Sequence, residues 1–450
     1  MGTKTLIRGG TVLSMDRAIG DLARGDVLIE DDKIVAVEPD ISADASVIDA
    51  SGKIVIPGFV DSHRHAWETA IRGCAPNATL DDYFVEVLDT FAPAYRPEDV
   101  HASNVAGSLE CLNAGITTLV DWSHINNTPE HPDAAIAGLQ ETGIRAMYAY
   151  GSANTSLADY WFDSKIAIPG DDVRRIRGTY FAADGGLLTM GLATRGPGFC
   201  QEDVVRSEWA LARELGIPIT VHVAMGRLAG RFGMIKQLSD YGLLGPDTTY
   251  IHCCHFSDEE WQLVKDSGGT ISIAPQVETQ MGHGWPPMLK SLQHGLRPSL
   301  SIDVVTTVPG DMFTQMRAAF AADRARVHEQ AFEPNEQVPK DVLTAEQMLR
   351  AATLDGAYVA GVEDRTGSLT PGKQADVVMI DAKALNMAPV IDPIAAVVLC
   401  ADVSNVEAVI VDGVVKKRDF RLVADVDKAR ADVEASRDYL IRAVEAEQPA

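Results

Sequence analysis

No apolar run in the chain approaches the roughly 18 to 20 residues that a membrane span requires, and Met1 to Arg8 holds no apolar core of signal-peptide length. A soluble, cytoplasmic protein that does not enter a membrane is expected. Basic residues are in short supply, 39 against 64 acidic ones, and the net charge of −25 repels nucleic-acid phosphates and anionic lipid headgroups alike. Nucleic acid is excluded as a partner. Cysteine is sparse too: six residues in 450, without zinc-finger spacing, and the adjacent Cys253 and Cys254 suit buried packing better than bridging. Free thiols in a reducing compartment follow. Internal repeats and low-complexity segments are also missing.

What is present is apolar residues, 46% of a chain long enough for one large domain and a smaller one. Residues 1–56 read as short strands broken by turns, and the same texture returns between 367 and 425. Two β-rich ends, each too short to stand alone, are expected to pair into one composite β-sandwich. From 57 to 366 the pattern changes to apolar strand-like runs alternating with helical segments, which predicts α/β architecture with a parallel sheet. Eight strands are predicted: Gly58 to Asp61, Thr117 to Asp121, Ala146 to Tyr150, Leu188 to Ala193, Pro218 to His222, Thr249 to His252, Thr270 to Ala274 and Arg297 to Asp303. Eight such units predict a (β/α)8 TIM barrel, and 426–450 a terminal helix packed on the outside.

The sharpest motif is Pro57-Gly-Phe-Val-Asp-Ser-His63-Arg-His65, ending the first barrel strand. Residues two apart on a strand point the same way, so both imidazoles project from the carboxyl end, where barrel active sites form. At that spacing they can chelate a divalent cation. His222, His252 and Asp303 each close another predicted strand. Any one alone is weak, but their order along the barrel makes the set strong.

With these residues the chain resembles the amidohydrolase superfamily, in the branch containing cytosine, guanine and S-adenosylhomocysteine deaminases and the triazine hydrolases. Arg72-Gly73, Ala114-Gly-Ile-Thr-Thr, Gly367-Ser-Leu-Thr-Pro-Gly-Lys-Gln-Ala-Asp and the Val411-Asp-Gly-Val hairpin extend the likeness over nearly the whole length. The resemblance implies His63, His65, His222 and Asp303 as ligands of one metal. Binuclear relatives use a fourth-strand lysine, and Leu188 to Arg195 has none. Three imidazoles and a carboxylate suit zinc or ferrous iron, either of which lowers the pKa of bound water. Asp303 then takes the proton of the attacking hydroxide's parent water, and His252 polarises the bond under attack. The implied reaction is hydrolysis of a non-peptide carbon–nitrogen bond in a small cyclic or heteroaromatic substrate. Relatives commonly assemble, so a homo-oligomer is implied.

One departure matters. Three residues after the fifth-strand histidine the deaminases carry a proton-shuttling glutamate, and this chain has Met225, which cannot transfer protons. Expulsion of chloride or thiolate, cyclic-amide opening, or a metal-binding barrel without turnover therefore stand as alternatives. Candidate pocket residues are Trp67, Met225, His255, Glu278, His283 and Arg195, the last with either a substrate anion or a rim ion pair as partner.

Overall fold

The computed structural model describes residues 2–151, 161–183, 185–228, 233–332, 337 and 339–447. The N-terminal segment forms β1 (Lys4–Leu13), β2 (Asp21–Glu30), β3 (Lys33–Glu38), β4 (Ser46–Asp49) and β5 (Lys53–Pro57). Eight strands then follow in the middle of the chain: β6 (Phe59–Arg64), β7 (Ile116–Ser123), β8 (Arg145–Tyr150), β9 (Leu188–Thr194), β10 (Ile219–Val223), β11 (Thr248–His252), β12 (Thr270–Ile273) and β13 (Pro298–Leu300). The C-terminal segment adds β14 (Val377–Asp381), β15 (Val406–Val411), β16 (Val414–Arg418) and β17 (Arg421–Leu422).

Strands β6 to β13 pair in parallel and in sequence order, as expected of successive βα units. Each is buried along almost its whole length, which explains why the sequence shows continuous apolar runs here and not alternation. Helices between them bury one stripe: in Glu202–Leu215, residues Val204, Val205, Trp209 and Ala212 face inward, and Gly216 ends the helix in left-handed backbone (φ 63°). The seam between β13 and β6 closes through the backbone beyond β13. Asp303 N–H donates to His63 O at 3.0 Å and His65 N–H to Asp303 O at 2.9 Å. Inside the barrel, Ser62 meets the hydroxyls of Ser299 and Ser272 at 2.6 and 2.8 Å. The eighth strand is thus shorter than predicted, ending at Leu300, and Asp303 stands on the turn after it.

The two chain ends do combine, with β14 antiparallel to β5. They form one nine-stranded mixed sheet, ordered β17-β16-β15-β14-β5-β1-β2-β3 with β4 beside β1. The sheet curls, so that Ile34 in β3 exchanges hydrogen bonds with Gly372 and Lys373 on the approach to β14. Val12, Val27, Ile34, Val55, Val377 and Ile410 fill its interior, while the alternate residues Ile54, Ile56, Val378 and Ile380 join the barrel's core. The period of two along β5 and β14 therefore splits one strand between two cores. Arg145, opening β8, ties the parts together with two hydrogen bonds of 3.0 and 2.9 Å to Asp376. Helix Val426–Glu447 lies against helix Pro97–Asn113, with the Arg96 guanidinium 3.4 Å above the Tyr439 ring. Residues 448–450, the end of the predicted helix, lie outside the described residues.

Candidate metal centre

Strand β6 can reach its neighbour because Gly58 has no side chain; a Cβ there would sit 2.0 Å from Thr117 Oγ1. From this start, His63 and His65 emerge on the same side at the carboxyl end of the barrel. His222 arrives from β10 and Asp303 from the turn after β13. One nitrogen of each histidine and a carboxylate oxygen all lie within 4.8 Å of one another. His63 Nε2 is 3.0 Å from Asp303 Oδ1, His65 Nε2 is 3.3 Å from the same oxygen, and His222 Nε2 is 3.2 Å from His63 Nε2.

Tautomers follow from the partners. Trp122 O, 2.8 Å from His65 Nδ1, can only accept, so a proton sits on Nδ1 and Nε2 is the atom turned to Asp303. Burial opposes protonation of His65, but its hydrogen bond with Asp303 and the charge of Glu68 outweigh that and raise its pKa. Burial drives the His63 pKa down to about 4 and that of His222 well below the ordinary imidazole value, so both rings are neutral. Burial opposes ionisation of Asp303, but hydrogen bonds with His63 and His65 outweigh it and hold the carboxyl well below its usual range. Neutral imidazoles at His63 and His222, an ionised Asp303 and a His65 Nε2 whose proton a cation would replace converge on one point and fit a divalent cation of the zinc type.

His252 ends β11 with its Nδ1 3.2 Å from Glu278 Oε1 and its Nε2 3.7 Å from Asp303 Oδ2. Both His252 (φ 74°) and Asp303 (φ 69°) adopt left-handed backbone without being glycine. Such conformations cost roughly 1–3 kcal/mol each and persist only where surrounding contacts impose them. Here the hydrogen bonds across the barrel seam impose it on Asp303.

A narrow cavity opens above this cluster. Of the predicted pocket residues, Met225 and His283 line it. The other four do not. Trp67 stands behind His124, donating Nε1–H to His124 Nδ1 at 3.3 Å. Glu278 lies beneath His252 and also accepts Ala274 N–H at 2.8 Å. His255 donates Nε2–H to the backbone oxygen of His283 at 2.8 Å, supporting the loop and not facing the cavity. Arg195 is buried against the Ile166 carbonyl and Glu208, 3.5 Å away, so of its two readings the structure has the ion pair. Cys253 and Cys254 belong to no ligand cluster among the described residues.

Sequence reasoning missed the lid of the cavity. Leu80, Tyr83 and Phe84 come from the long connection after β6, and Trp161 from the one after β8. Tyr83 donates its hydroxyl to Glu68 Oε1 at 2.5 Å, and burial raises the Glu68 carboxyl to about 7. No periodicity marks these positions, because loop residues carry no fixed facing; only an aromatic cluster after the histidine pair hints at them.

A model of the amidohydrolase family matches residues 54–416. The chain belongs to that family. As an amidohydrolase it is a hydrolase of carbon–nitrogen bonds other than peptide bonds. It is 29% identical to a 5'-deoxyadenosine deaminase of Methanosarcina mazei over 98% of this chain and 99% of the relative. A 5-methylthioadenosine/S-adenosylhomocysteine deaminase of Desulforamulus reducens is 27% identical over 95% and 96%. Among solved structures, the zinc-complexed atrazine chlorohydrolase of Arthrobacter aurescens superposes on this amidohydrolase with a TM-score of 0.84 at 25% identity, over 96% of this chain and all of that one. A zinc-bound adenosine deaminase from Xanthomonas campestris, at 22% identity and a TM-score of 0.86, shares the fold over 98% and 99%.

Proposed function

We propose that this amidohydrolase cleaves a carbon–nitrogen bond of a small heteroaromatic compound, using one divalent cation held by His63, His65, His222 and Asp303. The observation that carries the reading is the convergence of those four ligand atoms at the barrel mouth. Zinc in the atrazine chlorohydrolase structure supports that metal, with ferrous iron as the other choice. Once bound, such a cation makes water reactive near neutral pH and polarises the bond under attack.

The chain's own groups do the rest. Asp303, ionised and within reach of the attacking water, accepts its proton. His252 is aimed by Glu278, and when it carries a proton its Nε2–H donates to the atom where negative charge develops. The apolar ring walls of the cavity exclude water from a flat substrate. Met225 lines that cavity where a proton donor would help an amine depart. This favours a second reading, expulsion of chloride or thiolate, which need no proton. We place the protein in the cytoplasm, where its six free thiols would stay reduced, and as a homo-oligomer.

The test is turnover by the zinc-loaded protein on aminopurines, aminopyrimidines, chlorotriazines, thio-substituted heterocycles and cyclic amides, with ammonia, chloride and thiol release measured separately. Ammonia release supports the leading reading, and chloride or thiol release the second. A ring-opened product would instead identify a cyclic amidase. His63→Ala is expected to lose bound zinc and turnover together. Stoichiometric zinc without turnover of any compound would leave a metal-binding barrel, and full activity in His63→Ala would remove the ligand assignment.

A further inference from the structure

A second group of ligands stands beside the first. His252, His283 and Asp303 each bring one donor atom to within 4.8 Å of the others, and all three are buried. Asp303 is shared, but its oxygens divide: Oδ1 faces His63 and His65, while Oδ2 faces His252 Nε2. A carboxylate can serve two cations in this way. An imidazole cannot share one lone pair, which is why the cluster of His65, Glu68 and His124 offers no comparable site: His65 Nδ1 is tied to Trp122 O and its Nε2 belongs to the first centre.

Two further features point to a ligand at this place. His283 is 2% exposed, yet neither ring nitrogen has a hydrogen-bond partner among the described residues. Burying polar nitrogens without partners is unfavourable, and a bound ligand removes that penalty. The ring is not there by looseness of the loop, since the His283 carbonyl accepts from Gly226 N–H at 2.7 Å and from His255 Nε2–H at 2.8 Å. Behind His252, Glu278 Oε1 accepts a hydrogen bond from Nδ1–H, which leaves the Nε2 lone pair free toward Asp303. A histidine whose far nitrogen is hydrogen-bonded to a carboxylate is the usual arrangement of a metal ligand. Two imidazoles and a carboxylate, with the remaining position open, make a zinc-competent set.

We propose that His252, His283 and Asp303 Oδ2 bind a second divalent cation adjacent to the first, and that its occupation shuts off turnover. The inhibitory part rests on the function proposed above, because the cation takes the Nε2 lone pair of His252 and the second oxygen of Asp303, the groups that reaction needs. Two cations flanking one carboxylate repel, so the second binds more weakly, by roughly tenfold or more. The protein is active with one equivalent and silenced by excess.

Zinc titration of the metal-stripped full-length protein, read by calorimetry and by elemental analysis, is expected to give a tight and then a weaker equivalent. Activity rises with the first and falls by roughly 10²-fold with the second, the lower end of what a positioned acid–base group contributes. His283→Ala is expected to bind the first equivalent only and to lose inhibition by excess zinc, whatever its own basal rate. Cobalt(II) gives a readout that needs no variant: two ions joined through Asp303 produce a magnetically coupled spectrum at the second equivalent. A single equivalent in the unmodified protein, two in His283→Ala, uncoupled cobalt spectra, or full activity at two equivalents overturns the proposal. Failure here is distinct from failure of the function: one equivalent lost in His63→Ala leaves that function standing, whereas no zinc uptake at all removes both.

Discussion

His63 Nε2 and Asp303 Oδ1 meet at 3.0 Å across the seam of the barrel, although 240 residues separate them. The same two residues are joined through the backbone, Asp303 N–H to His63 O. Closing the barrel and assembling the ligands are therefore one event. The strained φ of 69° at Asp303 is held by the hydrogen bonds that seal β6 against the turn after β13.

Replacing Asp303 with asparagine preserves the backbone bonds that close the barrel, and the variant is expected to fold. Its kcat should drop by about 10²–10⁴-fold, the range for loss of a positioned acid–base group. Steady-state kinetics at fixed zinc, with metal content measured on the same sample, check this. An unchanged kcat at full occupancy excludes Asp303 as the proton acceptor.

Met225→Glu places a carboxyl in the cavity where the deaminase pattern has one. Ammonia release from an aminopurine or aminopyrimidine is expected to rise above that of the unmodified enzyme. Should zinc remain bound and no ammonia form, the lid residues Leu80, Phe84 and Trp161, and not the missing acid, limit that chemistry.

Arg195 and Glu208 are both about 1% exposed and lie 3.5 Å apart. Arg195→Met leaves Glu208 as a buried carboxylate without its cation, a loss of about 3–5 kcal/mol for such pairs. The expected result is a lower denaturant midpoint with KM unchanged. A raised KM at unaltered stability would return Arg195 to the substrate.

Lys417, buried on β16 with Nζ 2.7 Å from the Asn113 carbonyl, has its pKa pushed by burial from 10.5 down to about 8. Between those values the unfolded chain holds a proton that the folded one has released, so folding gains stability as pH rises from about 8 towards 10.5. Below that window both states are protonated and the contribution is flat. Lys417→Met removes the effect, so the Tm of the unmodified protein relative to this variant should climb between pH 8 and 10. A constant difference would show the amine to be solvated.

Much of the site was legible beforehand because a strand fixes where its side chains point. The period of two put His63 and His65 on one side, and the rule that parallel barrels present their carboxyl ends together brought in His222, His252 and Asp303. Each of these stands at the end of its strand or just beyond it, and their mutual distances follow from barrel closure. Even the absence of a fourth-strand lysine is a statement about one residue type at one end of one strand.

The loops obey no such rule. Arg195, His255, Glu278 and His283 all lie beyond strand ends, Glu278 on the short helix Pro275–Gln280, yet only His283 reaches the cavity. What decides among them is a partner elsewhere: Glu208 on the following helix for Arg195, His252 for Glu278, and the His283 carbonyl for His255. Sequence alone determined the barrel and the pairing of the two chain ends, since local periodicity and chain order suffice for these, and it put five residues at the strand termini, to which the family resemblance gave their roles. Tertiary structure alone decided which loop groups face a ligand, because a loop side chain turns toward whatever distant charge or hydrogen bond is strongest, and that neighbour exists only once the chain has folded.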